Sequence, residues 1–137
     1  MSFELVTQKA VYEALVANAD IIANSIPVYD AVPQPETVEN SQYPYITIGE
    51  DNHNSIDTDT ENMNQVSITV NVWSRQLGRA ETKRIQGYIY DTLHRARLEQ
   101  NGFNFVNIMQ DSSTSFYDAD GITRHGVQTF NLIIEEL

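Results

Sequence analysis

Cysteine is absent, and with it go disulfides, cysteine-type zinc sites, iron–sulfur clusters and thiol catalysis. Basic residues are scarce: 8 Lys and Arg stand against 19 Asp and Glu, a formal charge of −11. A protein that grips nucleic acid neutralises phosphates and carries the opposite balance, so stable DNA binding is not expected. No apolar run approaches the roughly 20 residues that span a bilayer. Met1-Ser2-Phe3-Glu4 has no basic leader followed by an apolar stretch, so neither membrane insertion nor export is expected. The 6 glycines, at 49, 78, 87, 102, 121 and 126, never cluster into a phosphate-cradling loop. The 4 prolines all fall at 27, 33, 35 and 44 and mark one proline-rich connection over 26–44.

What is present is ordinary globular sequence: 137 residues, 41% apolar and 20% charged, enough for one folded domain over 1–137 without staples. Residues 4–23 are alanine-rich and free of Gly and Pro, which predicts a helix with Lys9, Glu13 and Asp20 on a polar stripe and Val11, Ala14, Leu15 and Ile22 on the packed side. Tyr45-Ile46-Thr47-Ile48-Gly49 alternates as a strand, and Val66, Ile68, Val70 and Val72 alternate with polar neighbours over 65–74. Between them, 50–64 reads as a long acidic loop too polar to pack. From Gly78 to about Leu98 the period changes to that of a helix, with Ile85, Ile89, Leu93 and Ala96 as its core stripe and Gly102 as its stop. Strands follow at 103–110 and 127–136, the second with Phe130, Leu132 and Ile134 on one face, joined through the turn Asp118-Ala119-Asp120-Gly121. The fold class expected is α+β: an antiparallel sheet of about four to five strands with two helices packed on one face.

Catalytic and metal patterns are thin. His53, His94 and His125 lack the i, i+4 spacing that aims two imidazoles at one metal. Asp57, Asp59 and Glu61 start like a calcium loop, but Asn62 stands where glycine belongs and Ile68 where the closing glutamate belongs. No catalytic, metal or cofactor residue is assigned, and no enzyme activity is expected. Charge distribution says more. From residue 10 through 74 there is no Lys or Arg, whereas six of the eight basic residues fall between 75 and 97. On the second helix Arg79, Lys83, Tyr90, His94 and Arg97 fall on one side, opposite the apolar stripe. This is either a solvated face or a surface that meets an acidic neighbour. With Val66 to Val72 turned inward, Trp73 shares the outer sheet face with Thr69 and Asn71, and Tyr43 and Tyr45 join it by parity. Either a bulge turns Trp73 inward, or that face is partly buried in a subunit contact.

Four pieces in order, Tyr45-Ile46-Thr47-Ile48-Gly49, Val70-Asn71-Val72-Trp73-Ser74, Gly78-Arg79-Ala80-Glu81 and Asp120-Gly121-Ile122-Thr123-Arg124-His125-Gly126, resemble the tail-terminator (tail-completion) proteins of long-tailed phages and gene transfer agents. The resemblance runs over nearly the whole chain. It implies a structural virion protein, made in the host cytoplasm and placed at the head–tail junction. There a homohexameric ring would cap the tail-tube protein and meet the stopper (head-completion) protein, with DNA passing through the channel without specific binding. Under that implication Glu50, Asp51, Asp57, Asp59 and Glu61 line the lumen or dock on a partner, and Arg79, Lys83, Tyr90, His94, Arg97, Trp73 and Tyr45 belong to subunit or partner interfaces. Another head–tail connector ring, such as a stopper, and a soluble hydrolase or ligand-binding domain are the alternatives.

Overall fold

The computed structural model describes residues 2–30 and 43–137, so most of the proline-rich connection lies outside the described residues. α1 (Phe3–Val16) starts where the Ser2 hydroxyl accepts the Leu5 N–H at 3.1 Å, with Glu4 in the first turn near the positive end of the helix. Val6, Ala10, Val11 and Leu15 recur at helical spacing and are buried.

The helix predicted to run to residue 23 breaks at 17–18, and Asn18 is the reason. Its Oδ1 accepts the N–H groups of Asp20 (2.9 Å) and Ile21 (3.0 Å), which caps a separate α2 (Ala19–Ala23). Its Nδ2 donates to Thr92 Oγ1 at 2.7 Å, tying the break to the next long helix. The restart resets the helical phase: Ile21 is buried, and Ile22, expected on the packed side, is 61% exposed.

β1 (Val28–Tyr29) runs parallel to β2 (Tyr45–Ser55), whose antiparallel partner is β3 (Asn62–Ser74). After α3 (Ala80–Leu93) come β4 (Glu99–Gln100), β5 (Phe103–Tyr117) and β6 (Arg124–Glu136), and β6 lies between β3 and β5. The sheet is six-stranded, in the order β1-β2-β3-β6-β5-β4. It carries more strands than the four or five expected, with one parallel edge pair, because two-residue strands such as β1 and β4 carry no period to read. A third helix, α2, adds to the two expected.

The inward rows are those the alternation predicts. Val66, Ile68, Val70 and Val72 of β3 and Phe130, Leu132 and Ile134 of β6 are all at most 1% exposed. They share one apolar cluster with Val6 and Leu15 of α1 and Ile85, Ile89 and Leu93 of α3, so the long helices cover the same sheet face. Burying each such side chain is worth roughly 1.5–3 kcal/mol, which makes this layer the main source of stability. α3 stops at Leu93, not near Leu98. Arg95 takes φ +60 and its N–H donates to the Ile108 carbonyl at 2.7 Å, turning the chain onto β5. Gly102 is therefore no helix stop: with Asn101 (φ +48) and its own φ of +82 it forms the tight Asn-Gly turn between β4 and β5.

The acidic stretch 50–64, expected as a loop, is mostly strand. β2 continues through Ser55 and β3 begins at Asn62, which leaves only 56–61 as the turn. Gly49 and Glu50 stand opposite the single residue Thr69 as a bulge, since Ile48 pairs with Val70 and Asp51 with Ile68. Beyond it β2 is polar on both faces, so its residues show no burial period, and the ladder itself satisfies the backbone. The turn is closed by its own side chains: Asp57 Oδ1 accepts the Met63 N–H at 2.8 Å, and Thr58 Oγ1 accepts that of Glu61 at 3.1 Å. Because β3 is antiparallel to both β2 and β6, this turn and the β5–β6 turn lie at opposite ends of the sheet. A 13-residue strand at ~3.3 Å per residue separates them by about 40 Å.

Candidate functional site

The two ends differ in chemistry. At the β2–β3 end stand Asp57, Asp59 and Glu61, with Asp51 and Glu50 farther along β2. Asp51 holds His53, Nε2 to Oδ2 at 2.7 Å, and Asp57 is engaged in the turn. Asp59 and Glu61 are exposed, and neither carboxylate has a partner among the described residues. Glu135 and Glu136, at the end of β6 beside Met63 and Asn62, add to the same acidic end.

The β5–β6 end is built from rings and guanidinium groups. The β3–β6 register runs unbroken from Asn62 to Ser74, so Trp73 keeps the outward parity of Thr69 and Asn71, and no bulge turns it inward. Tyr45, Trp73, His125 and Phe116 are register partners on β2, β3, β6 and β5 and form one row across the outer face. Trp73 lies flat on His125 with centroids 3.8 Å apart, Tyr45 stacks on its other side at 6.3 Å, and Phe116 tilts against His125 at 5.0 Å. Trp73 Nε1 donates to Thr47 Oγ1 at 3.1 Å, and His125 Nε2 meets Asn71 Oδ1 at 2.9 Å. Since a carbonyl oxygen only accepts, that contact places the imidazole proton on Nε2. Desolvation under these rings holds His125 below the usual histidine range, with Asp118 pulling the other way. Burial, with Tyr43 alongside, pushes the Tyr45 phenol up.

Beside the row, Arg75 lies over the Tyr43 ring at 4.5 Å, and Arg79 and Arg124 both lie over Tyr117 at 4.8 Å. The predicted turn at 118–121 is present, with Gly121 at φ +76. Asp120 accepts from the Thr123 hydroxyl (2.6 Å) and from the N–H groups of Thr123 (2.8 Å) and Ile122 (2.9 Å), which lowers its carboxyl to about 2. Arg75 Nε in turn donates to Thr123 Oγ1 at 3.2 Å.

The basic stripe expected on the second helix is not one surface. Arg79 sits at the start of α3 and turns to Tyr117. Lys83 and Tyr90 line a groove of about 350 Å³ between α3 and β5. His94 stacks on Tyr90 at 4.5 Å and accepts the Gln110 N–H on Nδ1 at 2.9 Å. Arg97 falls beyond the end of the helix, beside Arg95 against the start of β5. α3 crosses close over β6: a Cβ on Gly126 would stand 2.6 Å from Gln86 Nε2 and 2.9 Å from Thr82 Cγ2.

Sequence reasoning named Trp73, Tyr45 and the acidic residues but did not group Arg75, Tyr117, Arg124, Phe116 and His125 as one cluster. The strand ends it drew, at 110 and 127, left out the residues whose parity would have aligned Phe116 and His125 with Trp73. Among the described residues no group of three or more His, Asp or Glu converges as metal ligands. What the arrangement offers is adhesion: stacked rings, cations and carboxylates presented at separate ends.

A solved chain from the virion of a native gene transfer agent particle has the same fold, with a TM-score of 0.85 over 98% of this chain and 99% of that one at 22% identity. The tail completion protein gp17 of Bacillus phage SPP1 is 27% identical over 89 residues, which span 65% of this chain and 66% of that protein's length. The family model described as tail completion protein gp17 matches residues 9–135, so the chain belongs to that family, structural components of the virion tail.

Proposed function

We propose that this chain is a ring subunit: a homohexamer that closes the tail tube, offers its other face to the stopper (head-completion) protein and leaves a central channel for DNA. Family membership over residues 9–135 supports the place in the tail. The observation that carries the ring is the unlike chemistry of the two sheet ends, because a surface that is not self-complementary associates head to tail, and such contacts close into rings when the rotation allows.

Six copies at −11 each carry −66. Carboxylates along a channel hold phosphates off over the ~8–10 Å left by screening at physiological salt. We assign that role to Glu50 and Asp51 on the shaft of the β2–β3 hairpin. Partner surfaces are assigned to the α3–β5 groove with Lys83, Tyr90 and His94, to Arg97 beside it, and to the outer row through Trp73, with Tyr45, only 2% exposed, supporting that ring from beneath instead of meeting a partner itself. Electron microscopy of the chain mixed with tail tubes tests this. Rings seated at one end of each tube are expected; subunits spread along the tube wall, or no association at all, would overturn it.

A further inference from the structure

Arg124 is a buried cation with no anion among the described residues. Its residue is 8% exposed, one guanidinium N–H donates to the Ile122 carbonyl, its plane rests on Tyr117, and its Nε has no hydrogen-bond partner. The salt bridges among the described residues, His53 to Asp51 and Arg75 to Asp120, do not include it. A buried charge that the described residues leave in this state is costly until a counter-charge is supplied. Arg124 lines an open cavity of about 440 Å³ with Tyr43, Arg75, Gln76, Leu77, Glu81 and Ile122. Glu81 also faces this cavity, but one of its oxygens accepts the Ser74 hydroxyl at 2.7 Å. Leu77 at 86% and Ile122 at 53% exposure give the cavity an apolar rim open to solvent.

We infer that this cavity is a socket for the acidic β2–β3 turn of a second copy of the chain, with Asp59 and Glu61 entering toward Arg124 and Arg75, and Ile56 meeting Leu77 and Ile122. The inference rests on the ring reading above and names its contact. Charge complementarity selects the occupant: among the described residues, two carboxylates at that turn have no partner and the socket's Arg124 has no carboxylate. The turn cannot fill its own socket, because the two lie about 40 Å apart along β3. The pairing is therefore between copies and head to tail, the geometry a ring requires. DNA phosphate is a poorer occupant for a chain of net charge −11.

Exposed positions make the test safe for folding. The tip variant Asp59→Lys with Glu61→Lys and the socket variant Gln76→Glu with Leu77→Glu are each expected to weaken self-association about tenfold or more, read by sedimentation or native mass spectrometry. Mixed in equal amounts, they are expected to assemble again, because intact tips meet intact sockets and lysine tips meet glutamate sockets. The chain has no cysteine of its own, so Asp59→Cys and Leu77→Cys combined in one chain should give intermolecular disulfides in any assembly formed, alone or on tail tubes. Assemblies of either charge variant as strong as those of the unaltered chain, no recovery on mixing, or rings without that disulfide would overturn the socket and leave the ring standing. A chain that assembles in no setting would remove the ring as well.

Discussion

The two long hairpins share a topology and differ in what holds them. The β2–β3 turn is kept in shape by Asp57 and Thr58 bonding to the backbone, with its remaining side chains in water. The β5–β6 turn is flanked by a tyrosine shared by two arginines, an indole on an imidazole, and a helix whose Gln86 and Thr82 side chains press on Gly126. Both hairpins are anchored in the core through their strands, but only the β5–β6 end carries further ties from α3 and the aromatic row close to its turn. The acidic turn is held mainly by its own residues, whereas the aromatic end is packed against α3 and across four strands.

Breaking the packed end should cost most. Trp73→Ala removes the central ring of the row and is expected to destabilise by about 3 kcal/mol, the low end for tryptophan because Trp73 is half-buried. Chemical denaturation with an unchanged m-value would check it. Gly126→Ala follows, at about 1–3 kcal/mol, since the new methyl meets the Gln86 and Thr82 side chains of α3, which must give way. A melting temperature equal to that of the unaltered chain would show that α3 does not press on β6 there.

The pH dependence sharpens the contrast. His125 is held below its unfolded value near 6.5, so the unfolded chain binds the proton more readily. Its contribution is present in full above about pH 6.5 and is lost as pH falls through the lower folded value. Thermal stability should decline on acidification from neutral, and His125→Gln should flatten that part of the profile. Asp120, lowered to about 2 by its bonds to Thr123 and Ile122, contributes above its unfolded value of 3.8 and loses that contribution only as pH approaches 2. Asp120→Asn should remove only this most acidic limb. The smallest effect belongs to the acidic turn: Asp59→Asn should change stability by no more than about 0.5 kcal/mol, as for a surface substitution away from packed features. A larger loss in the isolated subunit would show that the turn is tied to the core after all.

Those residues also mark where sequence was legible. The alternation of Val66 to Val72 and the stripe Ile85, Ile89, Leu93 could be read because burial on one face imposes a period. The acidic strands could not, since pairing without burial leaves no period. The break at Asn18 was hidden because Asn18 chooses between continuing a helix and capping a new one through a contact with Thr92, 74 residues away. The Asn101-Gly102 turn was readable from its dipeptide but was overridden by the helical pattern before it.

From sequence alone came the α+β class, the inward rows of the central strands, the excess of acid and the separation of bases from acids along the chain, all properties of composition and short-range periodicity. Which bases meet was decided by tertiary structure. Arg79 at the head of α3 and Arg124 at the start of β6 are 45 residues apart, yet they lie over one tyrosine because the antiparallel register brings those ends together. Whether a charge is solvated, paired or buried without a partner depends on neighbours distant in the chain, and no local pattern carries that information.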